Sequence, residues 1–323
     1  MSDRSVWDLY WHCDRIASCF DGAGATNYAE AVADGWRVFF AALPDKAKII
    51  DLCTGNGAIA LIAAEVGRAQ GKSFAITAVD QADIDPPAFV KRHGEEMRAI
   101  TFLGRTAVEA LPFADGSFDV AISQYGIEYS DTARSALEVA RVLAPGGRAR
   151  FVVHAAEGIV ASNARSAIED ADFMLQGADL IGSARRCLDA VRKVESGDGS
   201  MAARQRANAA VASFKTALAL ADRHLPHATD KVMLGNSAGV LLDAFQARAK
   251  VGFDAALAKV DQVETEILAH RGRLQALVDA ALDEDGAAAL GARLCEAREV
   301  QAECERLEND EGLIGHVVTA RFS

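Results

Sequence analysis

The stretch Ile49-Ile50-Asp51-Leu52-Cys53-Thr54-Gly55-Asn56-Gly57-Ala58 decides the fold. Two β-branched residues lead into an acid, then a glycine-bearing turn, then an alanine-rich run from Ala58 to Val66. That order predicts a strand, a tight turn and a helix N-terminus. Glycine serves such a turn twice. It takes positive φ without strain, and with no Cβ it lets a ligand lie against the backbone. Asp51 ends the strand in the same crevice and favours a ligand that carries a positive group. A dinucleotide site asks for G-x-G-x-x-G, with a pyrophosphate on the helix N-terminus. No third glycine follows here, and Asp51 would repel a pyrophosphate. The phosphate cradle G-x-x-x-x-G-K-[ST] is also absent. An ammonium or sulfonium ligand suits the turn better.

Working outward, Phe74-Ala-Ile-Thr-Ala-Val79 is a second β-rich run, ending in Asp80-Gln81. An acid at that tip can accept both hydroxyls of a ribose. Arg98 to Leu103 reads as a third strand, Phe118 to Ile122 as a fourth and Arg148 to Val153 as a fifth. Between them Phe89 to Met97 is expected to be a short helix, and Thr132 to Leu143 an amphipathic one stopped by Ala144-Pro145-Gly146-Gly147. Upstream, Thr26 is expected to cap a helix running to Leu43, with Tyr28 in its first turn.

These motifs together resemble the class I S-adenosylmethionine (SAM) methyltransferases. Asp51-Leu52-Cys53-Thr54-Gly55-Asn56-Gly57 is similar to the family's D/E-x-G-x-G-x-G, with Cys53 in place of the first glycine. Leu111-Pro112-Phe113, Asp115-Gly116-Ser117-Phe118-Asp119 and Ser123-Gln124-Tyr125-Gly126 match a further family stretch, and Arg141-Val142-Leu143-Ala144-Pro145-Gly146-Gly147 matches R-V-L-x-P-G-G. The resemblance covers roughly residues 27–155. It implies an α/β fold, a Rossmann-like doubly wound seven-stranded sheet with an antiparallel last strand, and SAM as cofactor. It places Asp51, Cys53, Gly55, Asn56, Gly57, Asp80, Gln81 and Gln124 around that cofactor. The family's acid for the adenine amino group falls on Ala107 or Arg105, and neither is an acid. The resemblance therefore leaves the adenine to backbone groups near Ala107 and Val108, or to Thr106.

Half of the 323 residues are apolar and the formal net charge is −12. That balance opposes a nucleic-acid surface, whose affinity comes mainly from Lys and Arg. Arg185-Arg186 is too short a basic run to reverse it. The six cysteines are scattered without a C-x-x-C, so neither a zinc site nor a redox pair is expected. The N-terminus lacks a signal-peptide pattern and no apolar run reaches the ~18 residues of a membrane span. The expectation is a cytoplasmic protein with no metal.

Residues 1–26 are expected to form an N-terminal helical lid, broken at Gly22-Ala-Gly24. Trp7, Tyr10 and Trp11 recur at i, i+3, i+4, one face of a helix. That face either docks on the core or covers the cofactor, where an aromatic ring attracts a sulfonium by about 0.5–2 kcal/mol. Residues 27–155 are the cofactor-binding core. Residues 156–290 are Ala-rich and read as an α-helical insertion, with helices near 161–195, 201–224, 231–250 and 251–282. In the last, Glu264 and Arg271 interrupt the apolar seam, which favours packing within a helical domain over a coiled coil. The insertion could serve as a substrate cap, a homodimer face, or both. His224 and His227 lack the carboxylates of a metal site. Residues 291–323 return to strand character around Glu308-Asn-Asp-Glu-Gly312 and complete the sheet as strands 6 and 7.

The loop after strand 4 excludes several chemistries. It is not the [DN]-P-P-[YFW] of enzymes that methylate amino nitrogens of adenine or glutamine, no Pro-Cys nucleophile exists, and Glu128 and Asp131 stand as isolated acids. A small-molecule acceptor remains, apolar or aromatic, with Tyr10, Trp11, Tyr28 and Tyr125 as the lid and substrate side chains. His154, ending strand 5, is the candidate general base, with His12 as a weaker rival. Two alternatives stay open: an RNA or protein methyltransferase that grips its substrate with the insertion, and a non-catalytic SAM-binding regulatory or assembly subunit.

Overall fold

A computed structural model describes residues 7, 8, 10–18, 27, 28 and 30–323. The expected break at Gly22-Ala-Gly24, the Thr26 cap and most of the 1–26 lid lie outside the described residues. The chain divides into two compact units. One comprises Met1–Ser162 with Leu277–Ser323, the other Asn163–Ala276.

The first unit is a seven-stranded sheet in the order β3-β2-β1-β4-β5-β7-β6. Its strands are β1 (Lys48–Leu52), β2 (Ala75–Val79), β3 (Ile100–Leu103), β4 (Phe118–Gln124), β5 (Leu143–Val153), β6 (Val300–Asn309) and β7 (Gly312–Phe322). The first five are parallel, and β7 runs antiparallel to both β5 and β6. β1 carries Ile49, Ile50 and Leu52 fully buried between β2 and β4, as a strand covered on both faces requires. The order reverses between β1 and β4, where a doubly wound sheet opens its ligand crevice.

The helices of this unit follow the chain: α1 (Glu30–Ala41), α2 (Ala58–Ala69), two short turns α3 (Pro86–Phe89) and α4 (Gly94–Arg98), and α5 (Thr132–Val142). The single helix expected over 89–97 is these two turns instead. Pro86 and Pro87 start the first, and His93, at φ 61°, breaks the chain before the second. Asp131 caps α5 by accepting from the amides of Ala133 and Arg134. The stop expected at Ala144–Gly147 lies within β5, as a register shift against β4.

The second unit is helical: α6 (Ile159–Asp172), which starts in the first unit, α7 (Leu180–Glu195), α8 (Met201–His224), α9 (Lys231–Val251) and α10 (Phe253–Ala280), which ends in the first unit. The helix expected over 161–195 is interrupted by a π turn at Phe173–Gly177, after which Asp179 takes φ 49° and caps α7. The core is built of small and aliphatic groups, including Ala184, Leu188, Ala217, Leu241, Val260 and Ile267. Glu264 and Arg271, the seam-breakers of α10, pair with Arg185 and Asp172 inside the same unit. α11 (Glu284–Ala297) sends Ala287, Leu290 and Leu294 into the core of the sheet. The compact helical unit is therefore shorter at both ends than the 156–290 read from sequence. No helix of the described residues is long and apolar enough to cross a membrane.

Candidate cofactor and active site

The carboxyl ends of β1 and β4 meet at a small cavity of about 30 Å³ lined by Trp11, Ile16, Ser18, Tyr28, Asp51, Cys53, Thr54, Ala58, Ile59, Gln124 and Tyr125. The turn after β1 is made by Cys53, Gly55 and Gly57, all left-handed, at φ 55°, 54° and 82°. Gly57 is the residue from which α2 starts. A Cβ on it would strike the Phe102 ring, and one on Gly55 would strike the indole of Trp11. Both positions need glycine for φ and for space.

Two carboxylates flank the turn. Asp51 is buried, and its Oδ2 accepts from the Thr54 hydroxyl (2.6 Å) and the Ala60 amide (3.3 Å). Burial pushes its carboxyl up to about 7 against those two hydrogen bonds, with a smaller push from Asp80. Asp80 accepts from the Gly55 amide through Oδ2 and from the Ala82 amide through Oδ1, both at 2.8 Å. Burial raises it to about 6. Desolvation raises a carboxyl because the charged form loses water, so both acids sit ready to be stabilised by a cationic or hydrogen-bond-donating ligand. The Cys53 thiol is held well up, first by burial and then by Asp80, Glu128, Glu109 and Asp51, and is a packed side chain rather than a thiolate.

The turn after β4 interlocks with the turn after β1. Tyr125 is left-handed, at φ 54°. Gly126 follows it because a Cβ there would collide with the Cβ of Cys53. Gln124 Oε1 accepts from the Trp36 indole (2.6 Å), while its Nε2 is buried without a partner. The Tyr125 hydroxyl donates to the Ile314 carbonyl (2.9 Å), and Tyr28 meets the Tyr125 ring edge-on at 6.1 Å.

Sequence reading brought Asp51, Cys53, Gln124, Trp11, Tyr28 and Tyr125 onto one cavity, with Gly55, Asn56, Gly57 and Asp80 in the adjoining turn. Thr106 donates its amide to the Asp80 carbonyl (2.8 Å), and Ala107 leads into a 3₁₀ turn at Val108–Ala110. These residues therefore lie beside β2's end, although Val108 itself is buried. Gln81 is exposed. Tyr10 is not on the cavity; its ring supports the Arg15 guanidinium at 4.5 Å. His154 is not on the cavity either. It is fully buried behind Tyr125, stacked on that ring at 4.2 Å. Glu128 Oε1 accepts from the His154 amide (2.9 Å) and lies 2.8 Å from Nδ1. His12 is exposed, with Nε2 2.7 Å from the Asp83 carbonyl.

Two contributors escaped the sequence. Glu128, taken there as an isolated acid, is the partner of His154. The adjacency of β4 and β5 could have paired the acid after one strand with the histidine ending the other. Trp36 gave no local signal, since an indole on an amphipathic helix reads as core until its N–H is seen to meet Gln124.

Residues 50–151 match the profile of a family described as a methyltransferase domain. The methyltransferase-named protein YqeM of Bacillus subtilis (strain 168) is 33% identical over 132 residues, which are 39% of this chain and 50% of that protein. The ubiquinone/menaquinone biosynthesis C-methyltransferase UbiE of Geotalea uraniireducens is 33% identical over 108 residues, 32% of this chain and 43% of that one. The chain thus spans about half the length of the curated relatives it matches. Among solved structures, phosphoethanolamine N-methyltransferase 2 of Haemonchus contortus in complex with SAM aligns at TM-score 0.36 and 18% identity, over 48% of this chain and 36% of that one.

The residues present suit SAM. Gly55 and Gly57 clear the backbone, Asp51 and Asp80 offer carboxylates in place of the apolar strand end a pyrophosphate needs, and Gln124 Nε2 is a buried polar atom with no hydrogen bond. Residues 50–151 of this chain are therefore similar to a methyltransferase domain.

Proposed function

We propose that the chain transfers a methyl group from SAM to a small-molecule acceptor. The observation that carries the reading is the interlocked pair of left-handed turns after β1 and β4, with buried Asp51 and half-buried Asp80 beside them. SAM supplies a methyl already activated by its sulfonium, so the chain's work is to hold, align and exclude water. Asp80 is suited to the ribose hydroxyls and Asp51 to positive charge. The Thr106–Val108 segment is placed for the adenine. Tyr28, Tyr125 and Trp11 form an aromatic wall for the acceptor and the sulfonium. Among the described residues the cavity lining includes no Lys, Arg or His, which favours an uncharged or cationic acceptor over a phosphate-bearing one. His154, held by Glu128 behind Tyr125, acts in this reading on the placement of Tyr125 rather than as the proton acceptor. The helical insertion joins the chain between β5 and β6, the position where a substrate cap or a homodimer face is expected.

The test is transfer of labelled methyl from SAM into a host-cell extract, separated into small-molecule, lipid, protein and RNA fractions. Label in the small-molecule or lipid fraction supports the reading. Label in RNA or protein overturns the acceptor class. SAM binding without label in any fraction favours a non-catalytic subunit.

A further inference from the structure

The segment Trp11–Ser18 is held by one buried side chain of the cofactor turn. Asn56 sits between Gly55 and Gly57 and is fully buried. Its Nδ2 faces three main-chain carbonyls of the segment: Trp11 (2.9 Å), Arg15 (2.8 Å) and, more weakly, Cys13 (3.4 Å). Its Oδ1 is buried without a hydrogen bond. The two left-handed glycines aim the amide at the segment rather than along the helix. Other ties are the packing of Trp11 against Ala82 and Ile84, the burial of Ile16, the Ser18–Tyr28 hydroxyl pair (3.2 Å), His12 against the Asp83 carbonyl (2.7 Å) and the Phe89 ring, and Asp14 Oδ1 accepting from the Lys91 amide (3.1 Å).

The same segment walls the cavity. Trp11, Ile16 and Ser18 face Asp51, Cys53 and Thr54 across about 30 Å³, room for about one or two waters. Small-molecule sites run to roughly 300–1,000 Å³. The Trp11 indole lies against Gly55, at the surface that the absent Cβ leaves open for a ligand. A cofactor of SAM's size therefore enters only when this strap moves, and the hydrogen bonds of Asn56 are among the buried contacts to break.

Resting on the reading of this turn as a SAM site, we propose that Asn56 is a positioning residue: it latches the strap Trp11–Ser18 and sets the rate at which the cofactor enters. The latched strap leaves no room for the cofactor, so each hydrogen bond stabilises the empty closed form only; its loss speeds association and tightens binding, with dissociation little changed. This behaviour separates a latch from a direct ligand contact, whose loss raises dissociation alone.

The experiment is stopped-flow tryptophan fluorescence on the full chain mixed with SAM or S-adenosylhomocysteine, comparing wild type with Asn56→Asp and Asn56→Ala. Asn56→Asp keeps the shape and removes the N–H donors. The expected result is a rise of about tenfold in the association rate constant, with dissociation within about threefold and Kd lower accordingly. Unchanged rates in folded variants, or a change in dissociation alone, overturn the latch. Absence of binding by the wild type overturns the SAM reading itself. Hydrogen exchange on the wild type covers the case of variants that fail to fold. Without cofactor, amides 11–18 should exchange well before those of β1. Exchange of 11–18 only together with β1 overturns the proposal.

Discussion

The sheet unit and the helical unit keep their polar groups in opposite ways. In the helical unit the buried Asp170 is fully used: it accepts from the amides of Thr229 and Asp230 and lies 2.7 Å from His224 Nε2. Its exposed charges pair along the surface, as Arg192 does with Asp254. Among the described residues of the sheet unit, buried Asp51 and half-buried Asp80 have no cation partner, Asn56 and Gln124 each keep a bare polar atom, and Cys53 and Tyr125 hold φ values costly for side chains with a Cβ. Strain and unmet hydrogen bonds coincide at these turns, where a ligand can relieve them, and occur singly elsewhere, as at Asp179 and Arg248 Nε. The contrast marks the carboxyl ends of β1, β2 and β4 as the working part of the molecule.

The largest effect should come from closing the space between the two turns. Gly126→Ala drives a Cβ into Cys53, and overpacking of this kind costs about 1–3 kcal/mol. Because the clash lies between the two main chains of the site, cofactor binding should be lost with it. Chemical denaturation and calorimetric titration with SAM check both. A stable, SAM-binding Gly126→Ala protein would mean that the turns are not rigidly interlocked.

Next in size is the pH dependence of the apo protein. Asp51 and Asp80 carry folded-state values of about 7 and about 6, above the ordinary 3.8. Groups raised in this way contribute stability that is fully present below the unfolded value and is lost as pH rises through the folded one. Apo stability should therefore fall between about pH 4 and pH 7.5. SAM should reverse the loss, so the thermal shift it produces should grow from pH 5.5 to pH 8. Asp51→Asn should flatten the apo profile. A profile equally steep in Asp51→Asn would place the titrating groups elsewhere.

Much of this region was legible because its constraints are local. A glycine between β-branched residues and an alanine run has few other uses, and the Asp51, Asp80 and Gln124 positions follow from strand ends alone. Tyr125 lines the cavity, but its left-handed backbone was not foreseen, since no residue type announces that conformation. His154 was read for its pKa and turned out to be covered on all sides, a matter of neighbours distant in sequence. The helical unit resisted for the opposite reason. Its alanine-rich helices pack by size and shape, with few residues that serve only one purpose, and the π turn at Phe173–Gly177 depends on packing rather than on a strong breaker.

A smaller effect is expected from Asp80→Asn, which weakens the acceptor for the Gly55 amide and removes the charge offered to a ribose. Charged hydrogen bonds contribute about 1.5–3 kcal/mol, so SAM affinity should fall about 10- to 100-fold with the fold retained. Equilibrium titration measures it. An unchanged Kd would remove Asp80 from the cofactor site and leave it as a cap for the β1 turn.

The smallest effect has the opposite sign and belongs to the helical unit. Gly239 lies within α9, and a Cβ there would meet nothing within 4 Å. A glycine inside a helix costs roughly 0.5–1 kcal/mol relative to alanine, through the backbone freedom it gives up on folding. Gly239→Ala should therefore stabilise the protein by up to about 1 kcal/mol, while Gly126→Ala, the same chemical change, destroys a site. Equilibrium unfolding of the two variants side by side measures the contrast. If Gly239→Ala also destabilises, that glycine is needed for a close approach by another surface, and the helical unit holds a contact that its free space conceals.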